Sequence, residues 1–198
     1  MTRLVLASAS VVRAHLLAGA RISFETSPAR IDEDAIKQSL LAEGARPRGV
    51  ADALAELKAL RVSSGHPDAL ILGADQVLDF DGELLSKSGT MEEARKQLAR
   101  LRGGTHRLLS AVVLARNSAV IWRHVEEATL VMRKFSDSFL ENYLAQEGVA
   151  VLSSVGSYRL EGLGVQLFER IEGDYFSILG LPMIPLLAAL RDQGMLPR

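Results

Sequence analysis

The stretch LILGADQVLDFDGELLSKSG, residues 70–89, decides how this chain is read. Leu70-Ile71-Leu72 is an unbroken apolar run, the pattern of a strand buried on both faces. It leads straight into Asp75, and a carboxylate there is costly unless something pairs with it. We expect a strand over 69–74, then a hairpin turning at Asp81-Gly82, a favoured turn dipeptide. Gly73 and Ala74 leave little bulk beside Asp75, which makes room for a ligand or for another backbone. Lys87 follows soon after: either a plain ion-pair partner or a phosphate clamp beside a metal ligand.

Outward from this stretch, strand and helix patterns alternate. Residues 3–7 read as a short first strand. Ser8 or Ser10 can cap the following helix, VVRAHLLAG, whose Gly19 suits a left-handed C-terminal position. ISFET (22–26) is strand-like, and IDEDAIKQSLLAEG (31–44) is expected to be a short helix. From Pro47 a second helix carries Val50, Leu54 and Leu57 on its apolar face, with Lys58 at the flank and Asp52 and Glu56 pointing away. Thr90-Met-Glu-Glu93 is a capping box for a helix ending near Arg102. LLSAVVLAR (108–116) and AVIWRHVEEATLVMRKF (119–135) read as two strands joined around Asn117. Ser136 caps a helix burying Phe139, Leu140, Tyr143 and Leu144, and a last helix spans about Pro182 to Arg191. Between them, 151–178 reads as irregular and punctuated by glycine. The alternation indicates an α/β protein with a mixed sheet flanked by helices.

The totals narrow the function classes. The 198 residues are 48% hydrophobic and 24% charged, an ordinary globular mixture, with a net charge of -1. No global positive field recruits nucleic acid, so a polyanionic ligand must be held by locally placed cations. Cysteine is absent, which excludes disulfides, thiolate metal sites and a cysteine nucleophile. MTRLVLASAS has too short an apolar stretch for a signal peptide, and no run reaches the roughly 18 apolar residues of a membrane span. We expect a cytoplasmic protein with no membrane and no nucleic-acid partner.

Four segments could carry chemistry. In SASVVR, Ser8, Ser10 and Arg13 stand at a strand-to-helix junction, where unpaired N–H groups favour phosphate; the plainer reading is a cap serine and a surface arginine. Asp32-Glu33-Asp34 is either a solvated helix start or the source of a hard-cation ligand, Glu33. In GADQV, Asp75 is either satisfied by backbone donors or a metal ligand or base. GSYRLEGLG (156–164) holds three glycines without dinucleotide-loop spacing, and Glu161 could accept hydrogen bonds from a base edge. His15, His66, His106 and His124 show no metal spacing and read as structural.

In order and spacing, LASASVVR, DED, Lys58, GADQV, Lys87 before TMEEA, GGTH, GSYRLEGLG and GDYFSILGLP resemble the Maf-type nucleoside triphosphate pyrophosphatases over nearly the whole chain. The resemblance implies an elongated mixed sheet in one domain, with two lobes and a deep cleft. It implies cleavage of a nucleoside triphosphate to the monophosphate and diphosphate with Mg²⁺ or Mn²⁺, and a homodimer. By the same correspondence Asp75 is the general base. Ser8, Ser10, Arg13, Lys58 and Lys87 would hold phosphates, and Glu33 with Asp75 would place the metal.

The chain departs from the family pattern at four places: SVVR for SPRR, Gln76 for threonine, Ser88 for proline and Glu161 for glutamine. Val12, Gln76 and Glu161 occupy positions linked in the family to substrate choice. Gln76 and Glu161 resemble the branch acting on 7-methyl-GTP rather than the dTTP/UTP branch, whereas Val12 lacks that branch's aromatic. The alternatives are the same chemistry with dTTP/UTP or broad specificity, and a non-catalytic nucleotide-binding regulator of cell division.

Overall fold

The structure is a computed structural model and describes residues 3–197. Met1, Thr2 and Arg198 lie outside the described residues. The elements are β1 (Leu4–Leu6), α1 (Val11–Gly19), β2 (Glu25–Thr26), α2 (Glu33–Ala42), α3 (Pro47–Ser63), β3 (Leu70–Phe80), β4 (Glu83–Leu85), α4 (Met91–Leu101), β5 (Thr105–Arg116), β6 (Ala119–Met132), α5 (Asp137–Glu147), β7 (Phe168–Glu172), α6 (Tyr175–Ile178) and α7 (Met183–Asp192). The seven strands form one mixed sheet in the order β2-β1-β3-β5-β6-β7, with β4 paired to β3. β1 is parallel to β2 and β3, while β4 and β7 are antiparallel to their partners. The mixed α/β architecture is the one expected from the alternating pattern.

The chain divides into two compact units, one of 1–76, 109–126 and 174–198 and the other of 77–108 and 127–173. In the first, alternation puts Leu70, Leu72 and Ala74 on one face of β3 and Ile71, Gly73 and Asp75 on the other. The first face joins Leu4, Leu6, Val112 and Leu114 under Leu17 of α1 and Leu186 and Leu190 of α7. The second face meets α3. A Cβ on Gly73 would lie 2.2 Å from the Ala55 carbonyl oxygen and 2.7 Å from the Ala59 nitrogen. The small residues beside Asp75 thus make room for another backbone.

In the second unit, the Thr90–Glu93 capping box starts α4 and Ser136 caps α5. His106 is buried, its Nε2 2.7 Å from the Tyr158 hydroxyl, so the GGTH and GSYR segments meet here. Burial holds the His106 imidazole down from 6.5 to about 4. A histidine depressed in the folded state contributes its full stability above pH 6.5 and loses it as pH falls toward 4. At about 1.4 kcal/mol per pH unit, the loss is roughly 3 kcal/mol. Thermal melts from pH 7 to 4 are expected to show that decline, with a shallower one in His106→Gln; equal slopes would remove His106 as the cause.

Several boundaries differ from the sequence reading. β3 extends to Phe80, because Val77 and Leu78 are also buried and β4 pairs with it, so Asp75 sits in mid-strand rather than at its end. The left-handed residue after α1 is Arg21, at φ 55°, while Gly19 stays helical. β2 keeps only Glu25–Thr26 of ISFET. The segment 151–178 contains β7 and α6, whose short, partly exposed patterns carry too little periodicity to see. On α3, Leu57 is exposed, and Lys58 lies inside the buried stripe of Leu54, Ala55, Ala59 and Val62 rather than at its flank. A wheel drawn on large residues misses a face made of alanine. Asp52 and Glu56 do leave that stripe, and both pair with Arg123 of β6 at 2.7 Å. The two hairpins turn as expected, with positive φ at Asp81-Gly82 and Asn117-Ser118. Among the described residues no helix is long and apolar enough to cross a membrane.

Candidate active site

Two polar clusters form in the first unit. At the start of α1, the Ser10 hydroxyl accepts from the Arg13 backbone N–H and caps the helix. Ser8 is not a cap. Its hydroxyl accepts from the Ser10 backbone N–H at 3.2 Å and from Arg13 Nη1 at 3.1 Å. Arg13 is buried rather than a surface residue. It donates from Nε to the Gly180 carbonyl at 2.8 Å and from Nη1 to the Ala74 carbonyl at 2.9 Å. With Ser8, these contacts occupy three of its five N–H groups. Burial works against the Arg13 charge, while the Asp75 and Glu33 carboxylates favour it. Val12 sits half-buried in the same first turn.

The second cluster joins three elements. Asp32 caps α2 by accepting from the Ala35 N–H, and Asp34 pairs with Lys37, so the three consecutive acids divide their tasks. The third, Glu33, reaches Lys58, with Oε1 2.9 Å from Nζ. Asp75 reaches the same ammonium from β3, with Oδ1 2.6 Å from Nζ. Lys58 can do this because Ala55, Ala59 and Gly73 let α3 lie against the strand. Burial pushes the Asp75 carboxyl upward, opposed by the Lys58 ammonium and the Arg13 guanidinium. Lys58 and Asp75 are buried and interact strongly, while Glu33 reaches the same ammonium from the exposed start of α2.

Gln76, one residue on, points to the opposite face of β3. Its amide nitrogen donates to the Ser110 hydroxyl and to the Ser177 and Ile178 carbonyls. Asp174 caps α6 and also accepts from the Ser177 hydroxyl. The GDYFSILGLP segment is therefore tied to β3 and α1 through three backbone carbonyls. Sequence reading passed over Ser110 and Ser177; the one signal was Gly180 just beyond α6, which takes φ +94°.

In the second unit, Lys87 is exposed on the segment between β4 and α4. Its neighbour Ser88 is buried and shares a 2.8 Å hydrogen bond with Ser157, a contact the family's proline could not make. Glu161 pairs with Arg159 at 3.2 Å, and Arg159 also reaches the buried Glu147. The glycines of GSYRLEGLG serve close packing. A Cβ on Gly156 would strike the Tyr158 ring at 2.1 Å, and one on Gly164 would lie 2.3 Å from the Arg159 carbonyl oxygen. The structure thus brings Glu33, Lys58 and Asp75 together, and Ser8 with Arg13, inside one unit.

The order of these residues along the chain matches one family model, Maf-like protein, over residues 3–193. This chain belongs to the Maf-like family. Full-length relatives agree. The chain is 53% identical over 196 residues, covering 99% of it and 98% of the relative, to a protein of Caulobacter vibrioides named nucleoside triphosphate pyrophosphatase. It is 52% identical over 190 residues, 96% of each chain, to one of the same name from Granulibacter bethesdensis. It is also 51% identical over 191 residues, 96% of each chain, to a Rhizobium meliloti protein named 7-methyl-GTP pyrophosphatase. Membership covers the Maf-like chain from the first strand to the end of α7.

Proposed function

We propose that this Maf-like protein is a nucleoside triphosphate pyrophosphatase that cleaves the bond between the α- and β-phosphates. The observation that carries this is the meeting of Glu33 and Asp75 on one buried ammonium, Lys58. A protein that only bound nucleotide would need the amine but not two acids, which repel phosphate unless a cation intervenes. The full-length relatives named for this activity support the same reading.

The donor set suits a divalent metal. Glu33 and Asp75 each turn one oxygen to Lys58 and have a second oxygen for a hard cation. Among the described residues no cluster of three or more His, Asp or Glu could hold a metal alone. Two carboxylates, substrate phosphates and water would make up the ligand set of Mg²⁺ or Mn²⁺. Such an ion supplies charge neutralisation on the phosphates and lowers the pKa of bound water. Lys58 neutralises developing charge and positions Asp75. Asp75 takes a proton from the attacking water as its oxygen bonds to phosphorus, and the bridging P–O bond breaks to release monophosphate and diphosphate. Ser8, Ser10 and the remaining Arg13 donors on Nη2 hold phosphate oxygens, and Lys87 is a further candidate for the same task.

Base preference is the finer part of the proposal. Gln76 offers an acceptor suited to the N–H groups of a guanine-type base; Glu161 is a separate candidate, whose carboxylate would favour the positive charge of a methylated guanine. One relative is named for 7-methyl-GTP. The test is a panel of triphosphates, including 7-methyl-GTP, dTTP, UTP and GTP, incubated with Mg²⁺ or Mn²⁺. We expect monophosphate and diphosphate, with a guanine-type substrate ahead of pyrimidines by tenfold or more. Release of orthophosphate would overturn the bond assignment, a lead for dTTP or UTP would overturn the base preference, and binding without turnover would favour a regulator.

A further inference from the structure

Three acceptors surround the Gln76 amide nitrogen: the Ser110 hydroxyl at 2.9 Å, the Ser177 carbonyl at 3.1 Å and the Ile178 carbonyl at 2.9 Å. Backbone carbonyls only accept, so the nitrogen and not the oxygen of the side chain must face them. Ser110 is 1% exposed, and its hydroxyl donates to the Ser177 carbonyl at 2.6 Å. That contact uses its single proton, so toward Gln76 it can only accept. The donor capacity of the Gln76 amide is spent inside the protein. All three of these side-chain hydrogen bonds run through Nε2, which leaves Oε1 as the acceptor end of the amide.

Gln76 is partly exposed and lies beside the α1 cluster. A Cβ on Gly180 would stand 3.8 Å from Gln76 Cδ and 3.5 Å from Arg13 Nε and Nη2, so amide and guanidinium flank one spot. Turning the amide over would set Oε1 against two carbonyl oxygens and leave buried acceptors unpaired, each at the full desolvation penalty of an unsatisfied group. The orientation is therefore locked.

We propose that Ser110 is a positioning residue that holds Gln76 as an obligate acceptor toward the bound nucleotide, so that the site selects a base edge bearing an N–H donor. This rests on the pyrophosphatase reading and adds a polarity to it. Ser110 does so without touching the substrate: it fixes the Ser177 carbonyl, and that carbonyl and the hydroxyl together fix the amide. A glutamine free to rotate could offer either donor or acceptor and would discriminate poorly.

The experiment measures kcat/KM for GTP against 1-methyl-GTP, which lacks the N1–H, and against ITP, which lacks the exocyclic amine. The intact protein is expected to prefer GTP over at least one of them by about tenfold or more, since a site built to pair a donor rejects an analogue without it. Ser110→Ala is expected to shrink that ratio to within threefold, Ser110→Thr to restore it, and Gln76→Leu to abolish it. Equal kcat/KM for all three nucleotides in the intact protein would overturn the proposal. So would a Ser110→Ala protein that slows every substrate alike. If Ser110→Ala does not fold, Ser110→Thr and Gln76→Leu carry the comparison. Titration with the α,β-methylene analogues of the same nucleotides reads the preference without turnover. An inactive protein that still discriminates would sink the pyrophosphatase reading and leave this one standing.

Discussion

Asp75→Asn is expected to lower turnover by about a thousandfold while the fold stays intact. Loss of a positioned proton acceptor removes roughly 10²–10⁴ in rate, and under the proposed function the same carboxylate would also hold the metal, which places the expected effect toward the upper end. The fold should survive for a structural reason. Asparagine keeps the shape of the side chain, and Lys58 retains Glu33 at 2.9 Å as a partner for its charge. Without that second acid, the substitution would strand a buried ammonium at a cost of about 3–5 kcal/mol. Circular dichroism and a melting curve within a few degrees of the parent, beside a collapsed kcat, is the expected pair of results. Near-normal kcat would remove Asp75 from the chemistry.

Gly73→Ala is expected to have the largest effect on stability, about 3 kcal/mol or more. The added methyl would fall 2.2 Å from the Ala55 carbonyl oxygen and 2.8 Å from Ala59 Cβ. Helix backbone cannot step aside as a flexible side chain does, so α3 must move away from β3. In a domain of this size that corresponds to a melting point lower by about 10 °C. The shift has a second consequence, because the same approach lets Lys58 meet Asp75 at 2.6 Å. Activity measured well below the new melting point should therefore fall as well. Gly82→Ala serves as the control: nothing lies within 4 Å of its Cβ, although its φ of +87° makes it mildly strained. A Gly73→Ala protein as stable and active as that control would refute the close approach of α3.

What the sequence alone determined is local. A cap at Ser8 or Ser10, which the structure gives to Ser10, caps at Thr90 and Ser136, the Asp81-Gly82 and Asn117 turns, and the apolar run at 70–72 each depend on neighbours a few residues away. The candidate site residues follow from residue type, order along the chain and the family resemblance together. Tertiary structure decided how they act on one another. Glu33, Lys58 and Asp75 come from α2, α3 and β3, and their meeting depends on a face of alanine and glycine with no hydrophobic signal of its own. Arg13 became a buried strut because the Gly180 and Ala74 carbonyls reach it from far along the chain. The polarity of Gln76 likewise follows from carbonyls 101 and 102 residues away. Sequence carries the rules of a single turn or strand; hydrogen-bond geometry between distant backbones exists only once the chain has closed on itself.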